Sequence, residues 1–244
     1  MTQATVPGRA WRQVFVAGLL LWLATVAVTL VTRNAVLVPT LVLLGSFLVP
    51  VTFVLWAVGR WRDEHLTTEL VARAFIVGGL LGVLGAALLE TYLLHPSPWL
   101  FGGVGLIEEG VKLAALVLVT RHMTRRDTRD GILLGATVGF GFAAFETAGY
   151  AFNALLTVRG LSLTNLVQTE LLRGVLAPVG HGLWTAILGG VYFRGAGRGR
   201  RITLPLVLTY LPTCRRARTA APLALALFFG WPTDRFGVRP AAAG

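Results

Sequence analysis

Glu108, Glu109 and Lys112 lie together in the apolar run GLIEEGVKLAALVLVT. Lys112 is the only lysine among the 22 lysines and arginines of the chain. Bilayer hydrocarbon penalises a charge at mid-depth by roughly 2.5 to 3.5 kcal/mol, so ionisable residues persist there where they have a partner or a task. On a helix either glutamate can face the lysine, three or four residues on. One lysine neutralises one carboxylate; the second is left able to take a proton from a water. The competing reading is an ion pair that only ties helices together.

Two further polar positions come to a similar level. Glu146 lies in GATVGFGFAAFETAGYAF, four residues after Phe142, and His181 lies between Gly180 and Gly182 in ELLRGVLAPVGHGLW. At about 1.5 Å per residue from the outer ends of their spans, the paired glutamates sit about 14 Å deep, and Glu146 and His181 about 17 Å. Each alone also reads as packing: Glu146 as a hydrogen-bonded carboxylic acid on a glycine face (135, 139 and 141), His181 as a bond between helices. Arrival at one depth favours a shared centre. Pro178 is expected to disturb the turn before His181. Arg173 either anchors at the outer interface or answers the carboxylates. Glu90 reads as interfacial polarity, and the tryptophans as interfacial anchors or packing.

The elements that carry these residues follow from composition. The chain is 55% hydrophobic and 14% charged over 244 residues, with a mean hydropathy of +0.71; this excludes a soluble domain. An all-α polytopic bundle is expected, with six spans at about 13–32, 35–58, 70–93, 99–120, 131–157 and 170–194 and a seventh starting near 202. Arginine clusters at 9 and 12, 60 to 73, 121 to 129 and 194 to 201 fall on one side of such a bundle. That asymmetry places residues 1–12 in the cytoplasm, and it accounts for the net charge of +11 without nucleic acid. The single cysteine, Cys214, rules out a Cys-based zinc site, so any metal must use His, Glu or Asp. No cleavable signal peptide is expected.

The motifs Glu108-Glu109-x-x-Lys112, Phe142-x-x-x-Glu146 and a glycine-flanked His181 resemble the PrsW family of intramembrane metalloproteases, similar in motifs to the CAAX-processing and bacteriocin-immunity membrane proteases. The likeness runs from about residue 35 to 210. It implies a multi-pass protein of the bacterial cell membrane that hydrolyses peptide bonds of membrane proteins such as anti-sigma factors. Carried onto this chain, it points to Glu108, Glu109, Glu146 and His181 as catalytic, with Lys112, Phe142 and Arg173 supporting them. It also implies a divalent metal such as zinc, with His181 and Glu146 as ligands. A single histidine is a sparse zinc signature, so a metal-free, glutamate-activated water stands as the rival mechanism.

The bundle is expected to span 13–212. The tail 213–244 departs from the family pattern: no histidine follows His181, and Arg215, Arg216 and Arg218 break the charge rule. A reading-frame shift or a sequencing error would explain it. A proton-coupled transporter, which also uses midplane carboxylates, and an inactive scaffold are the alternative functions.

Overall fold

The structure, a computed structural model, describes residues 10–61, 66–97, 99–124, 126–157 and 160–196. The seventh span expected from 202, and the tail 213–244, lie outside the described residues. Helices dominate: α1 (Ala10–Thr32), a 3-10 turn (Ala35–Leu37), α2 (Val38–Trp61), α3 (Thr68–Leu93), α4 (Leu100–Thr120), α5 (Thr128–Leu155) and α6 (Leu163–Ala196). Two-residue strands β1 (Leu156–Thr157) and β2 (Gly160–Leu161) make an antiparallel clip between α5 and α6. The expected all-α bundle is what forms.

Among the described residues, five helical segments are long and apolar enough to cross a bilayer. The helix α4 has 21 residues, about 30 Å of rise, but carries Glu108, Glu109 and Lys112 in its middle. Apolar side chains point outward along the bundle, including Leu20 on α1 and Leu84 on α3 (61% and 65% exposed). In water such surface would drive association; in lipid it is the expected exterior. This is a multi-pass membrane protein.

The expected sixth span starts seven residues too late. α6 begins at Leu163, with the Ser162 hydroxyl accepting from the Asn165 backbone N–H at 3.3 Å. Asn165, Gln168 and Glu170 dilute the hydropathy of those first turns without breaking the helix. The helix continues through position 178.

Between α3 and α6 runs α5, with small residues on both faces. Gly131, Gly135 and Gly139 recur at every fourth residue, and a Cβ on them would collide with the backbone carbonyls of Gly189, Thr185 and His181 respectively. The descending partner numbers show that α5 and α6 run antiparallel in near-backbone contact. On the other face, Gly141 meets the Phe75 carbonyl and Gly78 meets the backbone of Val138. Such small-residue seams let helices approach closely in a membrane, where dispersion replaces the hydrophobic effect as the packing force. Toward one end, Leu116, Val71, Leu134, Val138 and Phe193 form the main apolar core; toward the other, Leu41, Ala151 and Leu166 form a second. The polar centre lies between them.

Candidate active site

Three helices each present one polar face to this centre. On α4, Glu108 and Lys112 are four apart, with Glu109 between them. On α5, Phe142 and Glu146 are one turn apart. On α6, Arg173, His181 and Thr185 follow at spacings of eight and four, again one face. All the residues expected to form the centre are brought together.

Lys112 is completely buried, and its three donors have three acceptors: Glu109 Oε1 at 2.8 Å, Glu108 Oε2 at 3.3 Å and His181 Nδ1 at 2.8 Å. Its ammonium also sits 4.0 Å from the centre of the Phe142 ring, a favourable place for a desolvated cation. This explains the phenylalanine one turn before Glu146. The Phe142 ring packs in turn against the His181 imidazole at 5.1 Å.

An ammonium can only donate, so Nδ1 of His181 accepts and its other nitrogen carries the proton. That proton points at Glu146: Nε2 lies 3.0 Å from Glu146 Oε2. The same oxygen accepts from Arg173 Nη2 at 2.5 Å. Arg173 is 4% exposed, with its guanidinium 3.9 Å from the Tyr150 ring. Of its two expected roles, it therefore answers the carboxylates and does not snorkel. Three carboxylates face two permanent cations, and the excess negative charge suits a bound cation.

Glu109 differs from its neighbours in being the most open carboxylate of the three: its side chain is 28% exposed, against 11% for Glu108 and 12% for Glu146. Its second oxygen accepts from Thr185 Oγ1 at 3.3 Å. Thr185 is not among the residues that the sequence motifs point to, although its position one turn after His181 is a usable signal. Glu90, whose position suggests interfacial polarity, has its Oε1 buried without a partner among the described residues. Two turns of α3 separate it from the glycine face at Gly82, and that spacing is what turns it inward.

A further buried carboxylate, Glu170, stands apart. It accepts from Trp22 Nε1 at 2.9 Å and occupies the space that a side chain at position 45 would need. Trp22, expected as an anchor or packing residue, is thus the polar link from α1 to α6.

Ligand atoms from Glu108, Glu146 and His181 lie within 4.8 Å of one another, a set able to hold a metal ion. One imidazole nitrogen with carboxylate oxygens is donor chemistry that zinc accepts. The Lys112 ammonium already rests on two of these groups as a stand-in cation. The residues therefore fit a divalent metal.

Fold and site together define a polytopic membrane protein with a carboxylate–imidazole centre buried among its helices. The chain belongs to the family described as PrsW family intramembrane metalloprotease, whose profile matches residues 67–214. A similar protein is the one named Protease PrsW of Shouchella clausii (strain KSM-K16), 31% identical over 145 residues, which are 56% of this chain and 61% of that protein. The chain thus spans less than two thirds of that relative's length. No solved structure matches it.

Proposed function

We propose that this chain is an intramembrane protease that hydrolyses peptide bonds of membrane-protein substrates, with Glu109 as the base. The observation that carries the reading is the setting of Glu109: the most open of the three carboxylates, oriented by Lys112 and Thr185, beside the only described histidine that enters the polar centre. Family membership supports the reaction class.

Glu109 takes a proton from a water, and the water oxygen attacks the substrate carbonyl carbon. As the tetrahedral species collapses the C–N bond breaks, and the proton held on Glu109 passes to the departing amine. Lys112 and Arg173 supply positive charge close to the developing oxyanion. His181, with Glu108 and Glu146, would hold a divalent metal such as zinc, which when bound polarises the carbonyl and acidifies water. Burial among helices keeps bulk water scarce and strengthens each of these interactions.

The arginine distribution supports a cytoplasmic N-terminus, and family membership supports a bacterial cell membrane. Membrane proteins such as anti-sigma factors are the substrate class that the family resemblance implies.

The test is cleavage of a tagged single-span substrate co-reconstituted in proteoliposomes. Glu109→Gln and His181→Ala are each expected to abolish the product while inserting normally. Undiminished cleavage by both variants rejects the assignment. Proton flux without cleavage would favour the transporter instead.

A further inference from the structure

We propose that Lys112 is a built-in plug for the metal seat: its ammonium and a divalent cation occupy the centre in alternation, and the metal enters by displacing Lys112 from His181 and Glu108. The inference rests on the metal-dependent form of the proposed function.

The argument begins with lone pairs. A neutral imidazole has one, and here it lies on Nδ1, where Lys112 Nζ sits at 2.8 Å. The other nitrogen faces Glu146 Oε2 with its proton. In this arrangement His181 has no free electron pair for a metal, so ligation requires Lys112 to let go. The nearest Glu108 oxygen is engaged as well: Oε2 lies 3.3 Å from Nζ and 3.6 Å from His181 Nδ1. Two members of the candidate ligand set are thus held by one ammonium.

Displacement leaves Lys112 with places to go. Glu109 Oε1, its shortest carboxylate contact at 2.8 Å, lies outside the candidate ligand set. The Phe142 ring face at 4.0 Å offers a second attraction that needs no carboxylate. A lysine suits this exchange better than an arginine, because a single point donor on a flexible stem can swing without breaking a planar fork of bonds. The plug has a physical purpose: without it, three carboxylates would face a single arginine in a medium that penalises uncompensated charge.

Being the only lysine in the chain, Lys112 can be watched alone. The full chain, labelled with lysine carrying 15N at Nζ, is purified in detergent, freed of metal and titrated with zinc. One ammonium resonance is expected, slow to exchange while all three donors are held. Zinc at one equivalent should shift it and accelerate its proton exchange. In equilibrium dialysis, Lys112→Met should bind zinc at least tenfold more tightly than the unaltered chain.

The inference is overturned by stoichiometric zinc binding that leaves the lysine resonance unmoved, or by a zinc-loaded structure with Lys112 still on Nδ1. A folded Lys112→Met chain with unchanged or weaker affinity overturns it equally. If that variant does not fold, the resonance of the unaltered chain decides. A chain that cleaves substrate yet binds no zinc also sinks the plug, and leaves the peptidase reading intact.

Discussion

Gly139 of α5 lies against the backbone carbonyl of His181 on α6, with no room for a methyl group between them. This contact sets the depth of the imidazole relative to Glu146, seven residues along the same α5 helix. A side chain at position 139 must push the helices apart or slide one past the other. Gly139→Leu is therefore expected to cost about 1 to 3 kcal/mol, as overpacking does, and to lower cleavage severely. Gly110→Leu is the control: nothing lies within 4 Å of its Cβ position, so stability should stay within about 0.5 kcal/mol. Detergent-solubilised thermal unfolding compares the two.

Arg173 and Glu146 form a buried pair, and removing one partner leaves the other charge without its counter-ion. Arg173→Ala should destabilise the protein by about 3 to 5 kcal/mol, the usual range for breaking a buried pair. The double variant Arg173→Ala/Glu146→Gln should recover part of that loss, since both charges are gone. A double-mutant cycle by chemical unfolding measures the coupling. Strict additivity of the two substitutions would show that the pair contributes nothing.

Trp22 donates to Glu170, which lies one turn of α6 before Arg173. Trp22→Phe keeps an aromatic side chain, though a smaller one, but strips the N–H donor, at an expected cost of about 1 to 3 kcal/mol for a buried acceptor left unsatisfied. Cleavage per folded molecule should not change, because neither residue touches Glu109 or His181. An altered kcat with unaltered stability would reverse that assignment.

Thr185 holds the second oxygen of Glu109 through a 3.3 Å bond. Thr185→Val preserves shape and removes the hydroxyl, so kcat should fall roughly tenfold, equivalent to about 1.4 kcal/mol. Thr185→Ser keeps the donor and should retain most of the activity. Equal rates for the two variants would show that this bond does not orient the base.

Much of the centre was readable from residue type and depth alone. Charges in hydrocarbon are conspicuous, helix rise is constant, and so Glu108, Glu109, Glu146 and His181 could be placed at one level before any contact was known. The same reasoning misplaced the start of α6, because hydropathy reports solvent preference and the backbone of Asn165 to Glu170 is helical regardless. It also left Glu90, Glu170 and Thr185 unassigned or in the background. Polar residues near helix ends look interfacial until a neighbouring glycine face turns them inward, as happens at Glu170 beside Gly45.

By itself the sequence determined the membrane class, the number and rough limits of the described helices, and which ionisable groups share a depth, since all of these follow from local hydropathy and a fixed rise per residue. Only the tertiary structure decided which atoms meet: that Lys112 spans Glu108, Glu109 and His181, that Arg173 turns inward to Glu146, and that Trp22 reaches Glu170. Those pairings depend on how helices rotate about their axes and how closely glycine seams let them approach. Rotation and approach are set by contacts between residues distant in the chain, which no local pattern encodes.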